Sequence, residues 1–204
     1  MSETLLKVDH LGITFGGLKA VQKVNMFLNR GELVGLIGPN GAGKTTMFNM
    51  LTGVYAPTEG SIIFGGKSIA GIDPYKVTRQ GISRTFQNIR LFKELSVLDN
   101  VKVANHSLAN HNLLSSIFRL SSHFKGEAKM EEESLSFLKI FGLDVYKDEL
   151  AKNLPYGMQR RLEIARALAA GPKLLLLDEP AAGMNPQETH DLMELIAFIQ
   201  KEFN

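Results

Sequence analysis

The sequence predicts an α/β fold in which a mainly parallel sheet presents a glycine-rich loop. The first observation is the stretch Gly38–Thr46, which lies between the apolar run Leu33–Ile37, expected as a buried strand, and the helical run Met47–Leu51. The second is a row of leucines, Leu174–Leu177, since continuous apolar runs are typical of parallel strands buried on both faces. The third is a loose apolar–polar alternation before the loop, which predicts a half-buried antiparallel sheet.

Composition and charge fit a globular chain without a broad nucleic-acid-binding face. The 204 residues are 44% hydrophobic and 22% charged, with a net charge of +2. That length suffices for one domain, or for one domain with a sub-domain. No cysteine occurs, which excludes disulfides and thiolate chemistry. We expect no signal peptide, because the start Met1–Thr4 lacks a basic-then-apolar leader. We also expect no membrane span, because no run approaches the ~18–20 apolar residues that a bilayer requires.

The stretch at 38–46 has the composition and the context of a phosphate-binding loop. Its glycines allow backbone N–H groups to turn toward an anion, and the following helix directs its positive dipole end to the same point. Lys44 is expected to reach the β- and γ-phosphates, and the Thr45 hydroxyl to ligate Mg²⁺. A chance match of a glycine-rich turn is the alternative. The other residues expected to contact the nucleotide are Pro39, Asn40, Gly41, Ala42, Gly43 and Thr46.

The region before the loop predicts two strands, Leu5–Phe15 and Val21–Leu28, with the turn Gly16-Gly17 between them. Phe15 lies beside this turn, where its ring could stack on a nucleobase. The alternative interpretation of Phe15 is an ordinary core aromatic. A further strand is expected at Ser61–Phe64, after a turn-rich connector.

The next segments predict a short helix, Pro74–Gln80, and a strand, Gly81–Phe86. Gln87 follows that strand, and its amide offers both a donor and an acceptor group. Such a side chain can ligate a metal or hold an attacking water. Taken alone, a glutamine at a strand end is more often a surface residue.

From Leu95 to about Leu168 the pattern is helical, and we expect a helical subdomain at about 88–168 inserted in a single domain of residues 1–204. Ser96 is a candidate N-cap, and Glu127–Phe141 predicts a helix with a solvated charged face. Residues 105–125 favour a loose helix or a long loop. The histidines in this region lack the spacing of metal ligands and are expected to face solvent: His106, His111 and His123.

Two acidic residues end the leucine-rich strand, at the edge where open α/β sheets bind ligands. Asp178 is expected to hold Mg²⁺, directly or through water. Glu179 points differently and can polarise the attacking water as a general base. Acidic residues that only form a turn are the alternative. Together with the phosphate loop, the pair favours hydrolysis over binding alone.

With these motifs identified, the chain resembles the ATP-binding subunit of ABC transporters over nearly its whole length. The distinguishing segment is 153–168, where that family has its signature, commonly Leu-Ser-Gly-Gly-Gln. The resemblance implies ATP with Mg²⁺, Phe15 stacked on adenine, and Gly157 contacting the γ-phosphate bound by a second subunit. It implies that Gln87 senses Mg²⁺ and the permease, and that the segment 182–185 is the D-loop.

The implied fold is a P-loop NTPase core with a mainly parallel sheet, an N-terminal antiparallel β-subdomain and a helical signature subdomain. The implied catalytic residues are Lys44, Gln87 and Glu179, and the implied Mg²⁺ ligands are Thr45, Gln87 and Asp178.

The chain is also similar to the ATPases of branched-chain amino acid importers in the long segment between Gln87 and the signature, and in three shorter ones: Arg84–Gln87, Tyr156-Gly157 and Asp178–Pro186. This similarity implies a head-to-tail homo- or heterodimer on two membrane permeases at the cytoplasmic face of the inner membrane. An external solute-binding protein would be an indirect partner, and no nucleic acid is expected. Two alternatives stay open: a non-transport member acting in DNA repair or translation, and a nucleotide-binding fragment without hydrolysis.

The chain departs from the family pattern at two places. Pro155 occupies the position of the signature serine and has neither a hydroxyl nor a backbone N–H, so we expect a weaker γ-phosphate contact. The family's switch histidine is missing, and His190 lies within the helix that precedes its expected place. The chain therefore looks truncated at its C-terminus, and we expect ATP binding with slow or absent hydrolysis.

Overall fold

The computed structural model describes residues 3–106 and 121–203. The chain divides into two compact units, Met1–Ile82 with Met193–Asn204, and Ser83–Leu192. The single-domain organisation with an inserted helical subdomain stays a prediction. The segment 105–125, expected as a loose helix or a long loop, lies largely outside the described residues, and His111 lies wholly outside them. The side chains of His106 and His123 are also outside the description.

The first unit is built on a four-stranded antiparallel sheet with the order β2-β1-β3-β4. Apolar residues of β1 are buried, with Leu6, Val8 and Leu11 at most 2% exposed. The predicted N-terminal antiparallel sheet is therefore confirmed. Its strands are β1 (Thr4–Phe15), β2 (Leu18–Asn29), β3 (Glu59–Phe64) and β4 (Lys67–Ser68).

In the described part of this unit, the helices that lie wholly within it are α1 (Lys44–Leu51) and α2 (Pro74–Gln80). Helix α2 has its proline in the first turn, where a missing N–H costs no hydrogen bond. Helix α1 begins directly after the glycine loop and buries Met47, Met50 and Leu51. The start of α1 is thus anchored in the core, which positions the loop before it.

The predicted strand at Leu33–Ile37 is wrong for this structure. These residues form no regular secondary structure, and Leu33, Val34 and Ile37 are 58%, 53% and 95% exposed. A strand buried on both faces needs hydrogen-bonded neighbours. In the described part of the chain, no strand is paired with this segment, so its apolar side chains stay exposed.

The second unit contains a two-stranded parallel sheet of β5 (Ile82–Arg84), which starts at the last residue of the first unit, and β6 (Leu174–Leu176). Beyond β5, the Thr85 N–H donates to the Leu176 carbonyl at 3.0 Å. Both strands are shorter than the sequence predicts. The pairing aligns the ends of β5 and β6, which are the two segments that carry the predicted polar residues.

The second unit also contains helices: α3 (Val97–His106), α4 (Ser121–Ile140), α5 (Tyr156–Ala169) and the first part of α6 (Pro186–Glu202). Ser96 is confirmed as the N-cap of α3, because its Oγ accepts the Asp99 N–H at 3.0 Å. Helix α3 contacts both α4 and α5. Among the described helices, none combines the length and the apolar character needed to span a membrane.

Candidate nucleotide-binding and catalytic site

The phosphate loop is shaped by glycines in left-handed conformations. Gly41 has a φ of 83° and Gly43 a φ of 87°. A Cβ atom on Gly43 would lie 2.9 Å from the Ala20 carbonyl oxygen and 3.0 Å from the Val21 Cγ2. The loop therefore packs closely against β2, and only glycine fits at position 43 without a shift of the backbone.

Lys44 is the first residue of α1, and its ammonium group folds back over the loop. Its Nζ donates to the carbonyl oxygens of Gly38 at 2.7 Å and Pro39 at 3.0 Å. Thr45 and Thr46 follow in the first turn, exposed and half-buried respectively. Because the first turn of α1 carries no acidic residue, the lysine charge and the helix dipole act together on an anion.

Phe15 ends β1 at the hairpin turn and is 43% exposed. This exposure contradicts the interpretation of Phe15 as an ordinary core aromatic. Its ring makes an edge contact with Tyr55, at 5.2 Å between centroids and 72° between planes. Tyr55 was not singled out from the sequence, since no short motif links it to Phe15. The aromatic pair leaves part of the Phe15 ring accessible to a planar ligand.

The two acidic residues after β6 have different surroundings. Asp178 is buried, and its Oδ2 accepts a hydrogen bond from Nη2 of Arg84 at 2.8 Å. Glu179 is exposed, and its Oε2 accepts a hydrogen bond from Nε2 of Gln87 at 2.9 Å. Glu179 has a φ of 45°, a conformation that costs a non-glycine residue roughly 1–3 kcal/mol. Thus the structure brings Gln87 to the predicted general base.

The side chains predicted to hold Mg²⁺ offer the oxygen ligands that this cation prefers. They are the Thr45 hydroxyl, the Gln87 amide and the Asp178 carboxylate. Because the Gln87 amide nitrogen is the atom that contacts Glu179, its oxygen is the end suited to a cation. The chemistry of the donor set therefore fits. Thr45 belongs to the first unit and the other two residues to the second, so a common metal site stays a prediction.

The signature region places Gly157 in the first turn of α5. Gly157 is buried, and a Cβ atom there would lie 2.7 Å from Oε1 of Glu188. Pro155 is the N-cap of α5, so its missing N–H lies outside the helix. The first-turn N–H groups that follow Pro155 have no acceptor within the helix. Nevertheless, the predicted weakening by Pro155 stays a prediction.

A buried ion pair on α5 was missed from the sequence. Arg160 is completely buried, and its Nη1 donates to Oε2 of Glu163 at 2.7 Å and to the Phe86 carbonyl at 2.6 Å. Its Nη2 donates to the Gln87 carbonyl at 2.7 Å. The second Glu163 oxygen accepts the Arg90 N–H at 3.0 Å. The available signal was two opposite charges three positions apart on one predicted helical stretch, a spacing that lets side chains pair.

The start of α5 also contacts the predicted D-loop within the second unit. The Tyr156 hydroxyl donates to the Ala182 carbonyl at 3.0 Å. A Cβ atom on Gly183 would lie 3.3 Å from the Tyr156 ring. The tyrosine in the signature therefore fixes the distance between the α5 N-terminus and the segment 182–185.

A cavity of about 590 Å³ opens beside the segment that follows Gln87. The Arg90 guanidinium lies 4.1 Å from the Phe86 ring centroid, and that of Arg166 lies 5.4 Å from the Phe92 centroid. Burial lowers the pKa of Arg166. The cavity thus combines aromatic surface with cationic groups, and its lining residues are Phe86, Arg90, Leu91, Phe92, Val103, Ala104 and Arg166.

Comparison with known proteins identifies the family. The model of the ABC transporter family matches residues 21–182, which is most of the chain. This chain belongs to the ABC transporter family. It is 46% identical over 204 residues to the high-affinity branched-chain amino acid transport ATP-binding protein BraF of Pseudomonas aeruginosa. It is 45% identical over the same length to LivG of Escherichia coli K12, which has the same description. In both comparisons the whole chain aligns with 80% of the relative's length.

Solved structures agree with this family membership. The ADP conformation of MJ1267, an ATP-binding cassette of an ABC transporter, matches with a TM-score of 0.82 at 30% identity, covering 98% of this chain and 78% of that chain. A dimeric post-hydrolysis state of the cassette MJ0796, bound to ADP and Pi, matches with a TM-score of 0.79 at 25% identity. The match covers 97% of this chain and 84% of that chain. The predicted α/β P-loop NTPase fold and the predicted ABC-type transport ATPase are confirmed. ABC ATPases bind ATP, generally with Mg²⁺, and in importers act as dimers with membrane permeases.

Proposed function

We propose that this chain is the ATP-hydrolysing subunit of an importer for branched-chain amino acids. The observation that carries the hydrolytic part is the hydrogen bond between Gln87 and Glu179, which joins two residues that the sequence separates widely. The identity to BraF and LivG supports the solute class. The solute itself is expected to contact other subunits, so no residue of this chain is assigned to it.

In this proposal the first unit binds the nucleotide. Phe15 stacks on the adenine, and the loop from Pro39 to Thr46 surrounds the phosphates with backbone N–H groups. Lys44 exchanges its carbonyl partners for the β- and γ-phosphate oxygens, because an ammonium ion gains more from an anion than from neutral carbonyl groups. The positive φ at Gly43 keeps the loop close to β2 while this occurs.

The second unit supplies the chemistry. Glu179 accepts a proton from the attacking water, and Gln87 holds the Glu179 carboxylate in place while it does so. Arg84 orients Asp178, which with Thr45 and Gln87 would hold Mg²⁺. When bound, Mg²⁺ supplies positive charge that neutralises the developing charge on the phosphates.

A second ATPase subunit completes each site in this proposal. Gly157 and the N-terminus of α5 would contact the γ-phosphate bound by the other subunit, because the first-turn N–H groups of a helix and its dipole favour an anion. The dimeric MJ0796 cassette supports a two-subunit assembly. The partner is either a second copy of this chain or a related ATPase, in a head-to-tail arrangement.

The cavity next to Gln87 is the surface that we assign to the two membrane permeases. Its aromatic rings and arginines suit a short amphipathic segment with acidic or carbonyl groups. Contact there would place the chain at the cytoplasmic face of the inner membrane, with the external solute-binding protein as an indirect partner. The near-neutral net charge of +2 gives no support for a nucleic-acid partner.

Substitution Glu179→Gln in the full-length subunit tests the hydrolytic part. ATP should still bind and stabilise a dimer, and hydrolysis should fall by about 10²–10⁴, the usual scale for the loss of a general base. The measurements are nucleotide affinity, sedimentation with ATP, and phosphate release. Glu132→Gln on the exposed face of α4 is the matched control and should leave all three unchanged. Equal turnover in both variants would refute the role of Glu179.

Uptake of labelled leucine, isoleucine and valine tests the solute class separately. Cells that lack this subunit should lose uptake and regain it with the wild-type gene but not with Glu179→Gln. Normal uptake of all three amino acids in the deletion strain, with a defect in DNA repair or translation, would instead favour a non-transport member of the family.

A further inference from the structure

We propose that Arg160, oriented by Glu163, is a positioning residue that fixes the segment 86–90 and thereby the contact of Gln87 with Glu179. The proposal rests on the proposed roles of Gln87 and Glu179, and it adds two residues that no motif assigns. All the contacts that carry it lie within the second unit.

The burial of this pair points to a role other than stability. The side chains of Arg160 and Glu163 are 0% and 1% exposed, so both charges are removed from water. Desolvation offsets much of the attraction in a buried ion pair, and apolar residues of similar size often stabilise a protein as well or better. A gain in stability therefore does not account for a guanidinium at this position.

The geometry explains why an arginine is needed. The two terminal nitrogens of Arg160 donate to the carbonyls of consecutive residues, Phe86 at 2.6 Å and Gln87 at 2.7 Å. Glu163 orients the guanidinium through Oε2 and accepts the Arg90 N–H through Oε1. A planar fork can hold two carbonyls and one carboxylate at once, whereas a lysine ammonium is a single point charge.

Arg160 is connected to Glu179, the proposed general base, through Gln87. The Gln87 carbonyl is bound by Arg160, and the Gln87 side chain donates to Glu179 at 2.9 Å. Nη2 of Arg160 also lies 3.4 Å from the Tyr156 hydroxyl, at the start of the helix that carries Gly157. Helix α5 thus holds the loop that positions the general base, and a displacement of α5 would alter the Gln87–Glu179 contact.

Hydrogen exchange tests this arrangement without any need for turnover. In Arg160→Lys, amides in peptides covering 84–92 should exchange about 10-fold faster, as expected when hydrogen bonds that close a local segment are lost. Arg161→Lys is the matched control, because Arg161 lies on the same helix, is part-exposed and contacts only Asp191 at 3.4 Å among the contacts described. Unchanged exchange in Arg160→Lys would overturn the proposal. If Arg160→Lys does not fold, Glu163→Gln replaces it, since its amide oxygen can still accept the Arg90 N–H while its NH2 group cannot accept from Arg160.

Kinetics in the full-length subunit distinguish positioning from a purely structural role. The kcat of Arg160→Lys should fall about 10- to 100-fold with the KM for ATP within about threefold, since misplaced groups lower transition-state binding alone. In the Gln87→Ala background the same substitution should have little further effect, because coupled residues are not additive. Additive losses would overturn the proposal. Should Glu179→Gln retain full turnover, the assignment of the base fails, while the exchange result still decides whether Arg160 holds the loop.

Discussion

The phosphate loop and the region around Glu179 hold their functional groups in different ways. In the loop, Lys44 binds carbonyls five and six positions away, and the shape comes from backbone conformations. Around Glu179, the partners Gln87 and Arg84 are 92 and 94 positions away from the acidic residues that they contact. The phosphate loop therefore depends mainly on a few neighbouring residues, whereas the region around Glu179 depends on correct pairing of β5 with β6. We therefore expect distant substitutions to affect hydrolysis more readily than nucleotide binding.

The largest effect that separates the two regions is expected from Arg84→Met. The substitution leaves the Asp178 carboxylate buried without its cation, and breaking such a pair typically destabilises a protein by about 3–5 kcal/mol. Urea denaturation measures this loss in the free energy of unfolding. The double variant Arg84→Met with Asp178→Leu should be less destabilised than the single variant. An equally large loss in both would show that Arg84 acts through other contacts.

Gly43→Ala should give the next largest effect, and it acts on the loop. The new Cβ atom would lie 2.9 Å from the Ala20 carbonyl oxygen in a left-handed conformation that costs roughly 1–3 kcal/mol. Calorimetry with an ATP analogue should show weaker binding together with lower stability.

Gly66→Ala is the matched control for that variant. Gly66 has a φ of 77°, but a Cβ atom there meets nothing within 4 Å. It therefore carries the conformational strain without the collision with β2. If both variants bind the analogue equally well, close packing of the loop on β2 is not what shapes the site.

Tyr156→Phe should have the smallest effect and sharpens the comparison within the second unit. It removes the hydroxyl that donates to the Ala182 carbonyl, a hydrogen bond expected to contribute about 0.5–1.5 kcal/mol. Thermal melting should shift only slightly, while ATP-dependent dimerisation should weaken, because the predicted D-loop loses its contact with α5. If Tyr156→Phe dimerises as strongly as the wild type, the Tyr156 hydroxyl has no role in dimerisation.

Local patterns predicted the parts of the fold that depend on neighbouring residues. The antiparallel strands, the helix after the glycine loop and the Ser96 cap follow from alternation, glycine placement and capping chemistry, all read within a few positions. The strand at Leu33–Ile37 was predicted in the same way and is absent. An apolar run forms a buried strand only where partner strands supply hydrogen bonds, and this requirement is not visible in the run itself.

The candidate site shows the same limit. Gln87 and Glu179 were recognised as candidates through motifs, but their mutual contact follows from tertiary structure. Arg84, Arg160 and Glu163 were missed because their functions depend on which carboxylates and carbonyls they meet across the unit. A charged residue on a helix or at a strand end more often faces solvent, and only burial distinguishes these side chains from that usual case.

The backbone conformation of Glu179 affects which residue selection would favour at this position. At a φ of 45°, glycine or asparagine would be accommodated with less strain than glutamate. Selection for stability alone would therefore favour loss of the carboxylate, and selection for the proposed hydrolytic role would retain it. With Glu179 in its proposed role as general base, stability and catalytic function oppose each other at this position, a trade-off expected where an active site holds strained backbone.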